Sequence, residues 1–271
     1  MTAADVEALT EQAGLGGLRR TFHPARPRTW SEQTAGERVI VVLAVVAAFG
    51  VLGVLLVMLT SAVPRFGLFM TVTAGGLFAV SLVRYKLQQR ANKGHELRIH
   101  EGGVAVVGTG GATVRAYRWQ DMSVLQDVTE QHRNGVPVRT TYTYTLQGPD
   151  VESSRVRGGV VGTLRSPEVW GTEIQQQVTA AQLPLALAAV RAGRTVEFGP
   201  FVVSAERLTA GAKSVAWSEV RAVRTEKGYL SVKRQGRWLN LTATAVSRIP
   251  NVFVLRALAD RLVESAPGQP G

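Results

Sequence analysis

The spacing of apolar positions changes character along the chain. Residues 39–63 contain no charged side chain and are mostly Val, Leu, Ala and Gly. After Pro64 and Arg65 a second uncharged run covers residues 66–83. As helices these runs would be ~37 Å and ~27 Å long, against a hydrocarbon core of ~30 Å. Neither has the polar stripe that a helix on a soluble core needs. Ala44 and Ala48 on the first, and Thr71, Gly75 and Ala79 on the second, recur every fourth position. Small side chains at that spacing let helix backbones approach in lipid. The pattern predicts a two-helix transmembrane hairpin over residues 38–86. Arg and Lys cluster outside both ends, with only Arg65 between the runs. The positive-inside rule then predicts a two-pass protein of the inner (plasma) membrane with cytoplasmic N- and C-termini.

From Glu96 the period falls to two. Leu97 and Ile99 alternate with charged neighbours, and Met122, Val124, Gln126 and Val128 continue the alternation. Asn134-Gly135 is a hairpin turn signal. The returning strand places Val136, Val138, Thr140, Tyr142, Tyr144 and Leu146 on one side, and Arg139, Thr141, Thr143 and Thr145 on the other. Two short edge strands are expected within residues 151–164. Ser166-Pro167-Glu168 then reads as a helix start, with Val169, Ile174, Val178 and Ala181 as its stripe. Pro184 should start or kink a second helical piece, and Gly193 should stop it. Strands resume at Thr195, and a last amphipathic helix runs from a capping Asn251 to Val263. At the other end, residues 2–14 predict a short helix, and the Pro- and Arg-containing stretch after it predicts a linker.

The expected organisation is therefore a cytoplasmic tail (1–37), the hairpin (38–86), a first β domain with C-terminal helices (95–192), a second with one C-terminal helix (193–265), and a disordered tail (266–271). Composition refines this. The chain has no cysteine, which excludes disulfides and thiolate metal sites. Its net charge is +11. By count, residues 84–98 carry +4 and residues 193–271 carry +6, while residues 99–192 are balanced. The positive charge thus lies beside the apolar runs and in the last domain.

The two β-rich halves share a plan of short strands followed by a helix. Trp119-Gln120-Asp121-Met122 matches Trp217-Ser218-Glu219-Val220, each a Trp with an acid two positions on and then an apolar residue. This opening, with the final helix from Asn251, resembles bacterial pleckstrin-homology-like domains. Together with the hairpin and the segment 193–200, it resembles an uncharacterised family of actinobacterial membrane proteins, over about residues 15–265. The resemblance implies tandem curled β-barrels, each capped by a C-terminal helix, and membrane location. It implies no activity.

Candidate chemistry is sparse. His23, His95, His100 and His132 are scattered without a third metal ligand at suitable spacing. The glycine pairs lie between strands, with no helix start behind them to receive phosphate. No nucleophile elbow occurs. No catalytic, cofactor or metal site is expected, and no nucleic-acid partner. The one candidate surface is basic: Lys233, Arg234 and Arg237 flank the Gln235-Gly236 turn, and Arg221, Arg224 and Lys227 precede it. The expected function is a non-enzymatic, membrane-proximal scaffold. The alternatives are a sensor of anionic lipid headgroups through the basic second domain, or an accessory subunit of a membrane enzyme or transporter. The expected partners are the lipid bilayer and an unidentified protein.

Overall fold

A computed structural model describes residues 3–24, 95–108, 113–159, 163–235 and 242–266. All belong to one unit, made of the N-terminal stretch and everything after residue 93. The hairpin expected over 38–86 lies outside the described residues.

The first half opens with α1 (Ala3–Gln12), β1 (Leu18–Phe22), β2 (Glu96–His100), β3 (Gly103–Val107) and β4 (Val114–Arg118). These four strands form an antiparallel sheet in sequence order. A second sheet follows from β5 (Ser123–Arg133), β6 (Val136–Gln147) and β7 (Ser154–Gly158), and then helix α2 (Pro167–Arg191). The second half repeats this plan. β8 (Val196–Phe198), β9 (Phe201–Val203), β10 (Arg207–Ala210) and β11 (Lys213–Ala216) make four strands. β12 (Val220–Glu226), β13 (Tyr229–Arg234) and β14 (Thr242–Ala245) make three, and α3 (Val252–Glu264) closes the unit.

The matching tryptophans hold matching corners. The Trp119 amide donates to Gly102 O at 3.0 Å and its indole to Glu101 O at 3.1 Å. The Trp217 amide donates to Glu206 O at 3.1 Å and its indole to Ser204 O at 2.9 Å. A buried indole needs an acceptor, and in both halves the turn after the second strand supplies it. The repeat also shows where residues 25–93 enter. β8 and β9 are joined tightly at Gly199-Pro200, whereas β1 and β2, paired at Phe22 and Leu97, stand at the ends of the long intervening stretch. A sheet register needs only the two strands, whatever length of chain lies between them.

The N-terminal stretch, expected as a tail, contributes a strand to this sheet. β1 pairs with β2, and Leu15 is fully buried. Gly102 donates to Leu15 O at 2.7 Å. Gly103 has no room for a side chain: a Cβ there would lie 2.2 Å from Tyr117 O and 2.5 Å from Leu15 Cδ2.

Three features differ from the sequence expectation. The sheets are open, not closed barrels. Among the described residues the edges of the first half meet only through isolated bridges, Pro24 to Leu164 and Leu164 to Gly158. The two halves do not keep separate cores, because one buried cluster runs from Phe22 through Trp170 to Leu258. Among the described residues, no helix is long and apolar enough to cross a membrane. α2 has the length, 25 residues, but carries Glu168, Glu173, three glutamines in succession and Arg191, so it buries a stripe of Trp170, Ile174 and Val178 instead. α3 has 13 residues and is too short. The expected two-pass, inner-membrane protein, the membrane scaffold role and the tandem-barrel fold are corrected accordingly: the described chain is β-rich, with four small antiparallel sheets and three helices.

Helix α2 continues through Pro184, whose missing amide does not break it. Ser166 and Asn251 stand at helix starts as expected, but both are left-handed, at φ 52° and 50°, and neither caps its helix through its side chain. The Asn251 side chain is used elsewhere. Its Nδ2 donates to Met122 O at 3.0 Å and to Gln182 Oε1 at 2.8 Å. Gln182 in turn donates to Trp119 O and Met122 O at 2.8 and 2.7 Å. A polar clasp thus joins α2, the start of α3 and the corner between β4 and β5.

Candidate functional site

Sheet β12–β14 carries most of the basic residues singled out above. Lys227 and Gly228, at φ 50° and 78°, form a two-residue turn between β12 and β13. Two successive positive φ values match the right-handed twist of a hairpin. The turn sets the register: Val223 faces Val232, Arg224 faces Ser231, and Ala222 faces Lys233. Val223 and Val232 are buried on the core side. Side chains alternate across a strand, so Arg224, Ser231, Lys233 and Tyr229 share the opposite face, with Ser231 buried between its exposed and half-buried neighbours.

The five described candidate residues do not form one patch. Arg224 is exposed and Lys233 half-buried, diagonal neighbours on the outward face. Arg221 sits at the irregularity between Val220 and Ala222. Lys227 occupies the far turn. Arg234 is on the other side of β13 and is ion-paired with Glu219. Arg237 lies outside the described residues. Glu226, opposite Tyr229, adds a carboxylate to the outward face. Among the described residues no carboxylate pairs with Arg224 or Lys233.

Sequence reasoning missed a second basic surface, on the equivalent sheet of the first half. β7 alternates strictly between buried Ser154, Val156 and Gly158 and exposed Arg155 and Arg157. Arg155 faces Thr145 and Arg157 faces Thr143, so these four share the outward face with Thr141 and Arg139. The signal was the Arg-Val-Arg alternation beside the Arg-x-Thr-x-Thr-x-Thr strand. Balanced charge over residues 99–192 masked it, because all the acids of that half but Asp127 lie off this face.

The histidines are dispersed. His100 is buried, with Nδ1 3.1 Å from Gly16 O and no partner for Nε2. Burial holds His95 below the usual imidazole range, against a hydrogen bond to the Val107 backbone that raises it. His23 lies 3.5 Å from Glu96, and His132 lies 3.9 Å from Glu130. Among the described residues no three His, Asp or Glu side chains come together as a metal site. Tyr144 is buried against Trp170, with its hydroxyl 2.9 Å from Gln175 Nε2. Burial, with a lesser effect of Tyr142, pushes its phenol up to about 12. Such a phenol holds its proton at neutral pH and serves packing. A cleft of about 400 Å³ opens beside the polar clasp, lined by Asp121, Met122, Gln182, Leu185, Phe198 and Asn251. The amides of Gln182 and Asn251 are already engaged with each other and with the backbone, and Asp121 is engaged by Arg118 at 2.7 Å.

The model of a family of unknown function, DUF6585, matches residues 1–267. The chain belongs to that family. The match runs through both halves of the repeat and across residues 25–93. None of the curated proteins and none of the solved structures matches this DUF6585 chain.

Proposed function

We propose that the protein is a non-catalytic binding module that takes an acidic protein segment across the outward face of β12–β14. The observation that carries this reading is the pair Arg224 and Lys233, which lie on one face of a short sheet with no carboxylate partner among the described residues. A cation left unpaired on a rigid strand is already placed for a partner's carboxylate, so little ordering entropy remains to be lost. Tyr229, exposed at the end of the same face, offers an aromatic contact surface. A discrete partner suits the site better than a charged plane. Arg221, Lys227 and Arg234 point away from or lie beyond this face, and Glu226 interrupts it.

Exposed charge pairs each contribute about 0.2–1 kcal/mol, so the interaction is weak and salt-sensitive. The test is fluorescence anisotropy of a labelled Asp/Glu-rich peptide against the full-length protein. The reading predicts saturable binding that weakens with added salt and is lost in R224E/K233E. Binding that the double reversal leaves unchanged, or binding only to anionic vesicles, would overturn it.

A further inference from the structure

The outward face of β5–β7 is a separate surface with its own chemistry. We propose that it binds a linear chain of phosphate groups, held by Arg139, Arg155 and Arg157 and by the threonine row beside them.

The geometry is a line rather than a patch. Arg155 and Arg157 stand two residues apart on β7, ~6.8 Å along the strand. Across the ladder, Arg155 is level with Thr145 and Arg157 with Thr143. The same face of β6 continues through Thr141 to Arg139. β6 runs without irregularity from Arg139 to Thr145; the register shift of this pair lies just beyond Arg139, where Val138 is the extra residue between the partners of Gln131 and His132. From the level of Arg155 to Arg139 the row runs ~20 Å. The three arginines are exposed and the three threonines half-buried.

The charges are free. Among the described residues, none of the three guanidinium groups pairs with a carboxylate. The single acid on the face is Asp127, level with Thr143, and its carboxylate accepts from Thr129 Oγ1 at 3.2 Å. The donor set decides the ligand class. Guanidinium forks match phosphate oxygens in two-point contacts, and hydroxyls between them donate to the same oxygens. Tyr142 and Tyr144 are on the opposite side of the strand, so no aromatic ring is offered for stacking a base. The face therefore reads phosphate charge and spacing, not nucleobases.

The experiment uses the full-length protein and end-labelled inorganic polyphosphate, followed by anisotropy across a salt series. Binding is expected to weaken linearly on a log–log salt plot. The R139Q/R155Q/R157Q variant should lose at least tenfold in affinity and flatten the slope by about 2 to 3, close to one per contact removed. D127N should tighten binding. R224E/K233E should leave it within twofold, which separates this surface from that of β12–β14. Unchanged affinity in the arginine triple variant, an equal loss in R224E/K233E, or binding to anionic vesicles that polyphosphate does not displace would overturn the proposal. Circular dichroism of the triple variant guards against misfolding, and a folded variant that still binds counts against it.

Discussion

Asn251 and Val124 form a closed two-bond ring across the two halves of the molecule. The Val124 amide donates to Asn251 Oδ1 at 2.7 Å, and the Asn251 amide donates to Val124 O at 2.9 Å. One asparagine thereby extends the edge of β5 by one residue, 127 positions away in sequence. Its left-handed backbone, at φ 50°, is what turns both its amide and its side chain toward that strand. Asparagine tolerates this conformation better than other side-chain-bearing residues.

N251A removes the side-chain bonds to Val124, Met122 and Gln182 together and leaves part-buried groups unpaired. Each such group costs about 1–3 kcal/mol. A loss of roughly 2–4 kcal/mol in chemical denaturation is expected, with both halves unfolding in one transition because they share a core. A loss below 0.5 kcal/mol would show that the clasp is idle.

Gly103 is confined by Tyr117 O and Leu15. G103A must separate β3 from β4 or displace the N-terminal stretch. A destabilisation of about 1–3 kcal/mol is expected by analogy with overpacked cores. Deleting residues 1–15 should be destabilising as well, and should relieve part of the G103A penalty by removing Leu15. Additive effects of the two changes would contradict this contact.

His95 has a folded-state pKa below its ordinary value, from burial. The unfolded chain takes up its proton first as pH falls. Stability from this group is complete above the ordinary value of 6.5 and is lost as pH drops through and below it. Melting curves between pH 8 and 5 should show this decline, and H95Q should flatten it.

The tyrosines act at the other end of the scale. The Tyr144 phenol is raised from 10.0 to about 12 by burial, and Tyr117 is raised as well, chiefly by burial. The unfolded chain ionises first as pH rises, so stability present below pH 10 is lost toward pH 12. Absorbance at the tyrosinate band should show a late-titrating class that Y144F diminishes.

Much of the strand plan was legible because local patterns carry it. Asn134-Gly135 fixed one hairpin, and the period-two alternation of β6 fixed its buried face. The two tryptophans marked equivalent corners because each needs the same acceptor. What stayed hidden depends on distant partners. Pairing of β1 with β2 joins strands on either side of residues 25–93, which no local pattern reports. Whether a curled sheet closes depends on hydrogen bonds between its first and last strands, here reduced to the bridges at Leu164. Asn251 looked like a helix cap, because its reach to Val124 is invisible in sequence. Of the described residues of the basic surface, only Arg224 and Lys233 share a face. Arg234 looked equivalent until its neighbour Glu219 was placed beside it. Arg155 and Arg157 were overlooked because net charge over a segment says nothing about which side of a strand holds it.

The most direct test of the binding reading is amide chemical-shift mapping of an Asp/Glu-rich peptide titrated into the full-length protein. The account predicts salt-sensitive shifts confined to Arg224, Tyr229, Ser231 and Lys233, and their disappearance in R224E/K233E. Shifts centred on the cleft beside Gln182 and Asn251, or none at β12–β13 at saturation, would contradict it.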